Sequence, residues 1–397
     1  MKFLHAADLH LDSPLRAQAL KNPELAARLR NASRLALART VDAAIDAQVD
    51  ALLLAGDVFD GSVPDVASRA ALAMELGRLD RAGIPTLAIQ GNHDALLDLD
   101  RYGPVAKSLI LLDETAPTFR IGDASIHGLG FGARHVPESL LPRYPAPEPG
   151  RINLGLMHTS LGGAAGHDRY APCAEADLLA HGYDYWALGH IHLRSEHRGE
   201  RSLAVMPGIP QGRSIREIGG GSATLVTLDL DGARAEPVPI RLIRFATVQV
   251  DLGTAESQAE RIERIAESLA AEAQPDVALA ARVEFAGAGA LAGEPDLARS
   301  LAEEASDGLD DVHIETVRFV RSGEAAPPGA VAELSRMMQE DAATPGFRDE
   351  AAKLLEEWRR ALPVEIRDAL DPEELDGLIE QGVEMAVLRL AAEAGRT

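Results

Sequence analysis

Short apolar runs recur along the first 240 or so positions, separated by stretches in which apolar residues return every three or four places. The runs Lys2–Ala7, Ala51–Ala55, Pro85–Gln90, Asn153–Met157, Tyr185–Leu188, Leu203–Met206 and Ala223–Leu230 predict β-strands. Segments Ala32–Ala47 and Val66–Ala82 have the helical period and fall between strands. This alternation predicts an α/β domain, read at first as an open sheet whose ligands would gather beyond the carboxyl ends of its strands. Near Arg241–Ala246 the pattern changes. Strand Thr247–Leu252, helix Glu256–Ala273, strand Ala278–Phe285, helix Asp296–Glu304 and strand His313–Val320 predict a small β-α-β-α-β unit. The Gly- and Pro-rich stretch Ser322–Gly329 reads as a linker. Beyond it, Ala351–Leu362 is expected to carry Leu354, Leu355, Trp358 and Leu362 on one helical face. Pro363 and Pro372 suit helix starts, the second opening a last amphipathic helix, Glu373–Ala394. The expected domains are therefore 1–244, 245–321 and 322–397.

A length of 397 residues supports several cores, and the net charge of −23 is distributed unevenly among them. Residues 1–244 hold 29 acidic and 25 basic residues, residues 245–324 hold 17 and 6, and residues 325–397 hold 16 and 8. Eleven of the twelve histidines lie in the first segment, so the chemistry is expected there. Affinity for a polyanion comes from Lys and Arg displacing counterions, so a chain this acidic is expected to bind duplex nucleic acid weakly by itself.

Five clusters of metal-ligating residue types follow the predicted strands in order. They are Asp8-Leu9-His10, Gly56-Asp57, Gly91-Asn92-His93-Asp94, His158 and Gly189-His190-Ile191-His192. Alone, a Gly-Asp after a strand is usually a turn, and a His-x-His is usually a solvated face. Five such clusters in sequence, each at a strand end, point instead to a metal centre. Metal-assisted hydrolysis of a phosphate ester uses two cations about 3.5–4 Å apart with a ligand shared between them. Asp57 suits the shared position, because Gly56 permits the sharp turn that aims it. Asp8 and His10, two apart in an expected extended segment, should point to one side, as should His190 and His192. Asn92 offers a carbonyl oxygen and His158 an imidazole. A thiolate-free set of N and O donors suits Mn, Fe or Zn better than Ca or Mg. His93 is set apart as a general acid, with the neighbouring Asp94 expected to hold its other ring nitrogen. Arg16, Arg194, Arg213 and Arg216 flank the clusters and are candidate phosphate contacts, or else ordinary loop arginines.

No apolar run approaches the roughly 20 residues that a membrane-spanning helix needs. Asp8 and His10 lie within the stretch that a cleaved signal peptide would remove, and the single cysteine, Cys173, suits a reducing cytoplasm.

These clusters resemble the five motifs of the calcineurin-like metallophosphoesterases. The resemblance implies a two-sheet β-sandwich flanked by helices, in place of the open sheet. It further implies one metal on Asp8, His10, Asp57 and His192, and a second on Asp57, Asn92, His158 and His190. His93 would be the acid or transition-state stabiliser. The protein phosphatases of this superfamily carry Arg where Gly61 stands and Glu where Asp94 stands, so that branch fits poorly. Leu9–Leu15 and the run Met206-Pro207-Gly208-Ile209-Pro210-Gln211-Gly212-Arg213 resemble the SbcD-type DNA-repair exonucleases, especially the YhaO-like branch. That likeness implies an α+β capping domain after the catalytic one, and C-terminal helices that dock on an SbcC-like coiled-coil ATPase. It also implies a Mn-dependent 3′→5′ DNA exonuclease, with endonuclease activity a further expectation, and a homodimer through the catalytic domain. A small-molecule phosphodiesterase and a non-catalytic subunit with a relict site are the alternatives.

Overall fold

In the central strands each residue faces opposite to its neighbour, and this period of two builds the first unit. The computed structural model describes residues 1–13, 23–61, 63–98, 105–162, 170–229, 232–320 and 330–361, together with positions 375, 378, 379, 382, 383 and 386. It divides into two compact units, Met1–Pro14 with Arg30–Arg244, and Leu15–Leu29 with Phe245–Thr397.

The first unit contains two six-stranded mixed sheets. In one, β1 (Lys2–Ala6), β2 (Ala51–Ala55), β3 (Thr86–Ile89) and β4 (Leu109–Leu111) are parallel. Antiparallel β11 (Ser222–Asp229) and β12 (Gly232–Pro239) extend that sheet on the β1 side. The other has the order β5-β6-β7-β8-β10-β9. Its strands are β5 (Thr118–Ile121), β6 (Ala124–Gly128), β7 (Ile152–His158), β8 (Tyr185–Gly189), β9 (Ser195–Arg198) and β10 (Leu203–Met206). The open sheet first read from the pattern is thus replaced by the paired sheets that the family resemblance implied. Strands β4, β5, β6, β9 and β12 were not among the expected runs; their sequences have little apolar alternation, and all but β6 sit at sheet edges.

Phe3, Leu53, Leu87, Ile126, Leu156, Tyr185 and Val205, drawn from both sheets, form one buried apolar layer. The alternate positions Leu4, Leu52 and Leu54 pack instead with Leu37 and Val41 of α1 (Pro23–Asp46) and Leu72 and Leu76 of α2 (Val66–Ala82). On the other sheet the alternates Met157, Trp186 and Leu188 pack with Tyr144, Tyr183 and, in α3 (Glu175–Ala180), Leu178. A one-residue slip in β1, β2 or β8 would exchange these layers, so register is strongly specified. Helix α2 starts where Asp65 accepts from the backbone N–H of Ala67 and Ser68, and stops at Gly83, whose φ is 73°.

In the second unit β13 (Ile243–Asp251), β14 (Ala278–Ala286) and β15 (Val312–Val320) form a three-stranded sheet in that order. Helices α4 (Gln258–Glu272) and α5 (Pro295–Ser306) bury Ile265, Leu269 and Leu301 against Val250, Leu279, Val283 and Phe285. Helices α6 (Ala330–Ala342) and α7 (Pro345–Ala361) follow. The single apolar face expected on α7 is divided. Leu355 is 5% exposed, whereas Leu354 is 49% and Trp358 62% exposed. Adjacent helical residues lie about 100° apart around the axis, so 354 and 355 cannot share a narrow face. Leu362, Pro363, Pro372 and most of Glu373–Ala394 lie outside the described residues. Among the described residues no helix is long and apolar enough to cross a membrane.

Candidate metal centre

Five parallel strands, β1, β2, β3, β7 and β8, deliver the five clusters to one region. The backbone turns there in an uncommon way: Asp8, His10, Asp57 and His190 have φ of 56°, 43°, 52° and 100°. Asp8 and His10 are therefore not in an extended segment, and strand alternation is not what places them together. They converge because the exits of β1 and β2 remain hydrogen-bonded past the sheet. Asp8, His10 and Leu11 donate backbone N–H to the carbonyls of Gly56, Asp57 and Val58, each at 3.1 Å. Gly56, at φ 92°, lies so close to His158 that a Cβ would stand 2.5 Å from its Nδ1. A Cβ on Gly91 would fall 2.2 Å from Asp57 Oδ1.

The ligand atoms converge in two overlapping groups, Asp8 with His10 and His192, and Asp8 with Asp57 and His158. His10 Nε2 and His192 Nε2 are 3.3 Å apart. Two imidazole nitrogens on one tetrahedral ion, each about 2.1 Å from it, would lie roughly 3.4 Å apart, so the pair fits a cation. His158 Nε2 lies 3.2 Å from Asp57 Oδ2 and 3.0 Å from Asn92 Oδ1. The ring of His190 is 5.2 Å from that of His158, and its backbone N–H donates to Asp8. Six of the seven expected ligands thus meet through their ligand atoms, Asp57 Oδ2 being also 4.0 Å from His10 Nε2, while His190 is placed beside them by its ring.

Each of three imidazoles has its other nitrogen held from behind. His158 Nδ1 is 2.9 Å from the Ala55 carbonyl, His10 Nδ1 2.7 Å from Asp60 Oδ1, and His192 Nδ1 2.8 Å from Glu217 Oε1. Such partners orient a ligand ring and select its tautomer, leaving Nε2 for a cation. Asp60 and Glu217 were not singled out in the sequence. Asp60 had a weak signal in its place three residues after Asp57. Glu217, at the end of a short 3-10 turn, had none. Burial lowers the His158 pKa, but the adjacent Asp57 more than reverses this and holds it up at about 9. Burial pushes the Asp57 carboxyl upward, yet the charge of His158 leads a set of partners that holds it well below the usual range.

His93 is 43% exposed at its side chain, with Nδ1 3.0 Å from Asp60 Oδ1. Burial pulls its pKa down, but Asp60 and Asp57 bring it above the ordinary value. The expectation that Asp94 holds His93 is corrected here. Asp94 is buried, its Oδ1 accepting from Gly91 N–H at 2.8 Å and its Oδ2 from Val58 N–H at 2.9 Å. Its side chain braces the two loops that carry Asp57 and Asn92, and Asp60 takes the place beside His93. Burial, followed by the charge of Asp57, raises the Asp94 carboxyl to about 6.

Of the candidate phosphate contacts, Arg16 lies outside the described residues. Arg194 donates to Thr224 Oγ1 and pairs with Glu196 at 2.6 Å. Arg213 pairs with Glu217 at 2.8 Å and is 18% exposed at its side chain. Arg216 is exposed. The first two of these placed arginines are held by protein groups rather than turned toward an open site.

Residues 1–194 match the family model described as calcineurin-like phosphoesterase. Among curated proteins the chain is similar to the metallophosphoesterase YhaO of Bacillus subtilis, 35% identical over 234 residues, 57% of each chain. It is also similar to the DNA double-strand break repair protein Mre11 of Methanopyrus kandleri, 25% identical over 240 residues, which cover 55% of this chain and 50% of that one. Mre11 of Sulfurisphaera tokodaii is 28% identical over 218 residues, 52% of each chain. The chain therefore spans about half the length of the curated relatives it matches.

Proposed function

We propose that this chain, whose first 194 residues are a calcineurin-like phosphoesterase domain, is a two-metal phosphodiesterase that cleaves DNA. The observation that carries the reading is the convergence of Asp8, His10, Asp57, Asn92, His158 and His192, with the His190 ring beside His158 and His93 next to His10. One cation would be held by Asp8, His10, Asp57 and His192, the other by Asp57, Asn92, His158 and His190. When bound, the pair would supply Lewis-acid charge and an activated water. The remaining work falls to the protein. Asp60 holds His93 Nδ1 at 3.0 Å, which leaves Nε2 directed outward to give a proton to the leaving oxygen. His10, His158 and His192, each anchored at Nδ1, keep the cations fixed while charge shifts on the phosphate. Asp94 holds the Gly91–Asn92 loop against β2's exit.

DNA as substrate is supported by the relatives named for double-strand break repair, and by the resemblance of Met206–Arg213 to the SbcD-type exonucleases. The mixed N and O donors suit Mn, Fe or Zn; Mn²⁺ and 3′→5′ polarity are proposed from the same resemblance. A net charge of −23 leaves duplex affinity to a partner. An SbcC-like coiled-coil ATPase docking on the C-terminal helices suits exposed Met337, Leu354 and Trp358. Dimerisation through the catalytic domain and a reducing, cytoplasmic setting for Cys173 belong to the same reading. The test is digestion of end-labelled duplex and single-stranded DNA with Mn²⁺, with and without a co-purifying ATPase. Shortening of the labelled strand from its 3′ end is expected. Rapid turnover of cyclic nucleotides with no cleavage of DNA would instead establish a small-molecule phosphodiesterase.

A further inference from the structure

The run Met206–Arg213 was informative as a resemblance, but its arginine does not reach toward an open site. Arg213 forms a fork on Glu217, with Nε 3.2 Å and Nη2 2.8 Å from Oε1. Its backbone N–H donates to Oε2 of the same carboxylate at 2.6 Å. Nη1 donates to Ser13 Oγ at 3.1 Å and lies 3.6 Å from Asp60 Oδ1. The two carboxylates that flank this guanidinium are those behind His192 and His10. All three charged side chains are largely enclosed, with 18% exposure for Arg213, 18% for Asp60 and 11% for Glu217.

We infer that Arg213 is a positioning residue for one of the two cations, clamping Glu217 and Asp60 so that His192 and His10 present Nε2 to the same ion. The inference rests on the two-cation reading above and adds an asymmetry to it. Both imidazoles that depend on the clamp belong to the cation assigned to Asp8, His10, Asp57 and His192. His158, on the other cation, is anchored by the Ala55 carbonyl and has no link to Arg213. Two carboxylates this close would repel each other without a cation between them, and Glu217 would then swing away from His192 Nδ1. Lys keeps the charge but not the planar fork, so it can steady one carboxylate and not both. A phosphate-binding role would need these same N–H groups, which are already directed at Glu217, Ser13 and Asp60.

The experiment is titration of the metal-free full chain with Mn²⁺ alone, by calorimetry and by the paramagnetic resonance of free Mn²⁺. Wild type should take up two ions per chain. Arg213→Ala should keep one site near wild-type affinity and weaken the other about 10–100-fold, the usual effect of losing a group behind a ligand. Arg213→Lys should fall between them. Arg213→Gln keeps bulk and N–H donors without the charge and should show the same one-sided loss, which keeps the test decisive if Arg213→Ala folds poorly. Two sites of wild-type affinity in Arg213→Ala or Arg213→Gln overturn the role of Arg213, as does equal weakening of both sites. A wild-type chain that binds fewer than two Mn²⁺ overturns the two-cation reading itself, and this role with it.

Discussion

His93 is held by Asp60, not by the Asp94 that follows it in the chain: the imidazole Nδ1 lies 3.0 Å from Asp60 Oδ1. The same oxygen is 2.7 Å from His10 Nδ1, so one carboxylate orients both the proposed acid and a proposed ligand. His93→Ala should lower kcat about 10²–10⁴-fold, the range for a lost general acid. Asp60→Asn should also lower it, and its effect in the His93→Ala background should be smaller than in wild type, leaving only what Asp60 contributes through His10. Steady-state kinetics on a Mn²⁺-loaded chain would decide; wild-type kcat in His93→Ala removes the acid role.

Asp94 should behave as a structural residue. Asp94→Ala leaves the backbone N–H groups of Gly91 and Val58 without their acceptor in a buried place. Each orphaned donor costs about 1–3 kcal/mol. An unfolding free energy lower by at least that much, read from a lower urea midpoint, is expected, together with weaker metal binding as the loop carrying Asn92 loosens. Unchanged stability would show that the two loops do not depend on this carboxylate.

Gly91→Ala tests how closely the bridging position is built. Its Cβ would lie 2.2 Å from Asp57 Oδ1, so the carboxylate or the loop must move. A shift of that kind should weaken both cations, because Asp57 is shared between them. Retention of two tight sites by calorimetry would refute the shared assignment of Asp57.

Metal loading should release protons. Cations require neutral imidazole, yet His158 in the metal-free centre is held at about 9 by Asp57. Apparent affinity for Mn²⁺ should therefore rise with pH until His158 is deprotonated, near pH 9. Calorimetry in buffers of different ionisation enthalpy reads the protons directly. A binding heat independent of buffer at pH 7 would contradict it.

His5 lies fully buried between Tyr185 Oη, 2.9 Å from Nδ1, and the Leu188 carbonyl, 3.0 Å from Nε2. Burial lowers its pKa from 6.5 to about 3. Between those values the unfolded chain binds a proton that the folded chain does not, so stability rises with pH. The contribution is complete above 6.5 and falls by at most about 1.4 kcal/mol per unit as pH drops toward 3. Urea unfolding of His5→Gln at pH 7.5 and 5.5 should show a flatter dependence than wild type; equal slopes would remove His5 as a source.

The elements with strong period were legible from residues alone. Ala51–Ala55, Leu203–Met206 and Val66–Ala82 are observed with the expected bounds. The candidate ligands were named the same way, because residue type limits which side chains can hold a cation and each cluster follows a strand. Less was legible where the signal is not local. Nothing in the spacing of Asp8 and His10 reveals that both are left-handed, since those φ values are stabilised by hydrogen bonds to β2's exit.

The sequence by itself determined the inventory of candidates: seven side chains of ligand type, a separate imidazole at His93, and the strands that end at them. Only the tertiary structure decided the partners. It paired His93 with Asp60 instead of Asp94, set Glu217 behind His192, and directed the Arg213 guanidinium at Glu217, Ser13 and Asp60. The reason is physical. Ligand identity is a property of single residues, whereas the choice among several nearby carboxylates depends on where β1, β2 and the loop after β10 bring them, and chain proximity does not measure that distance.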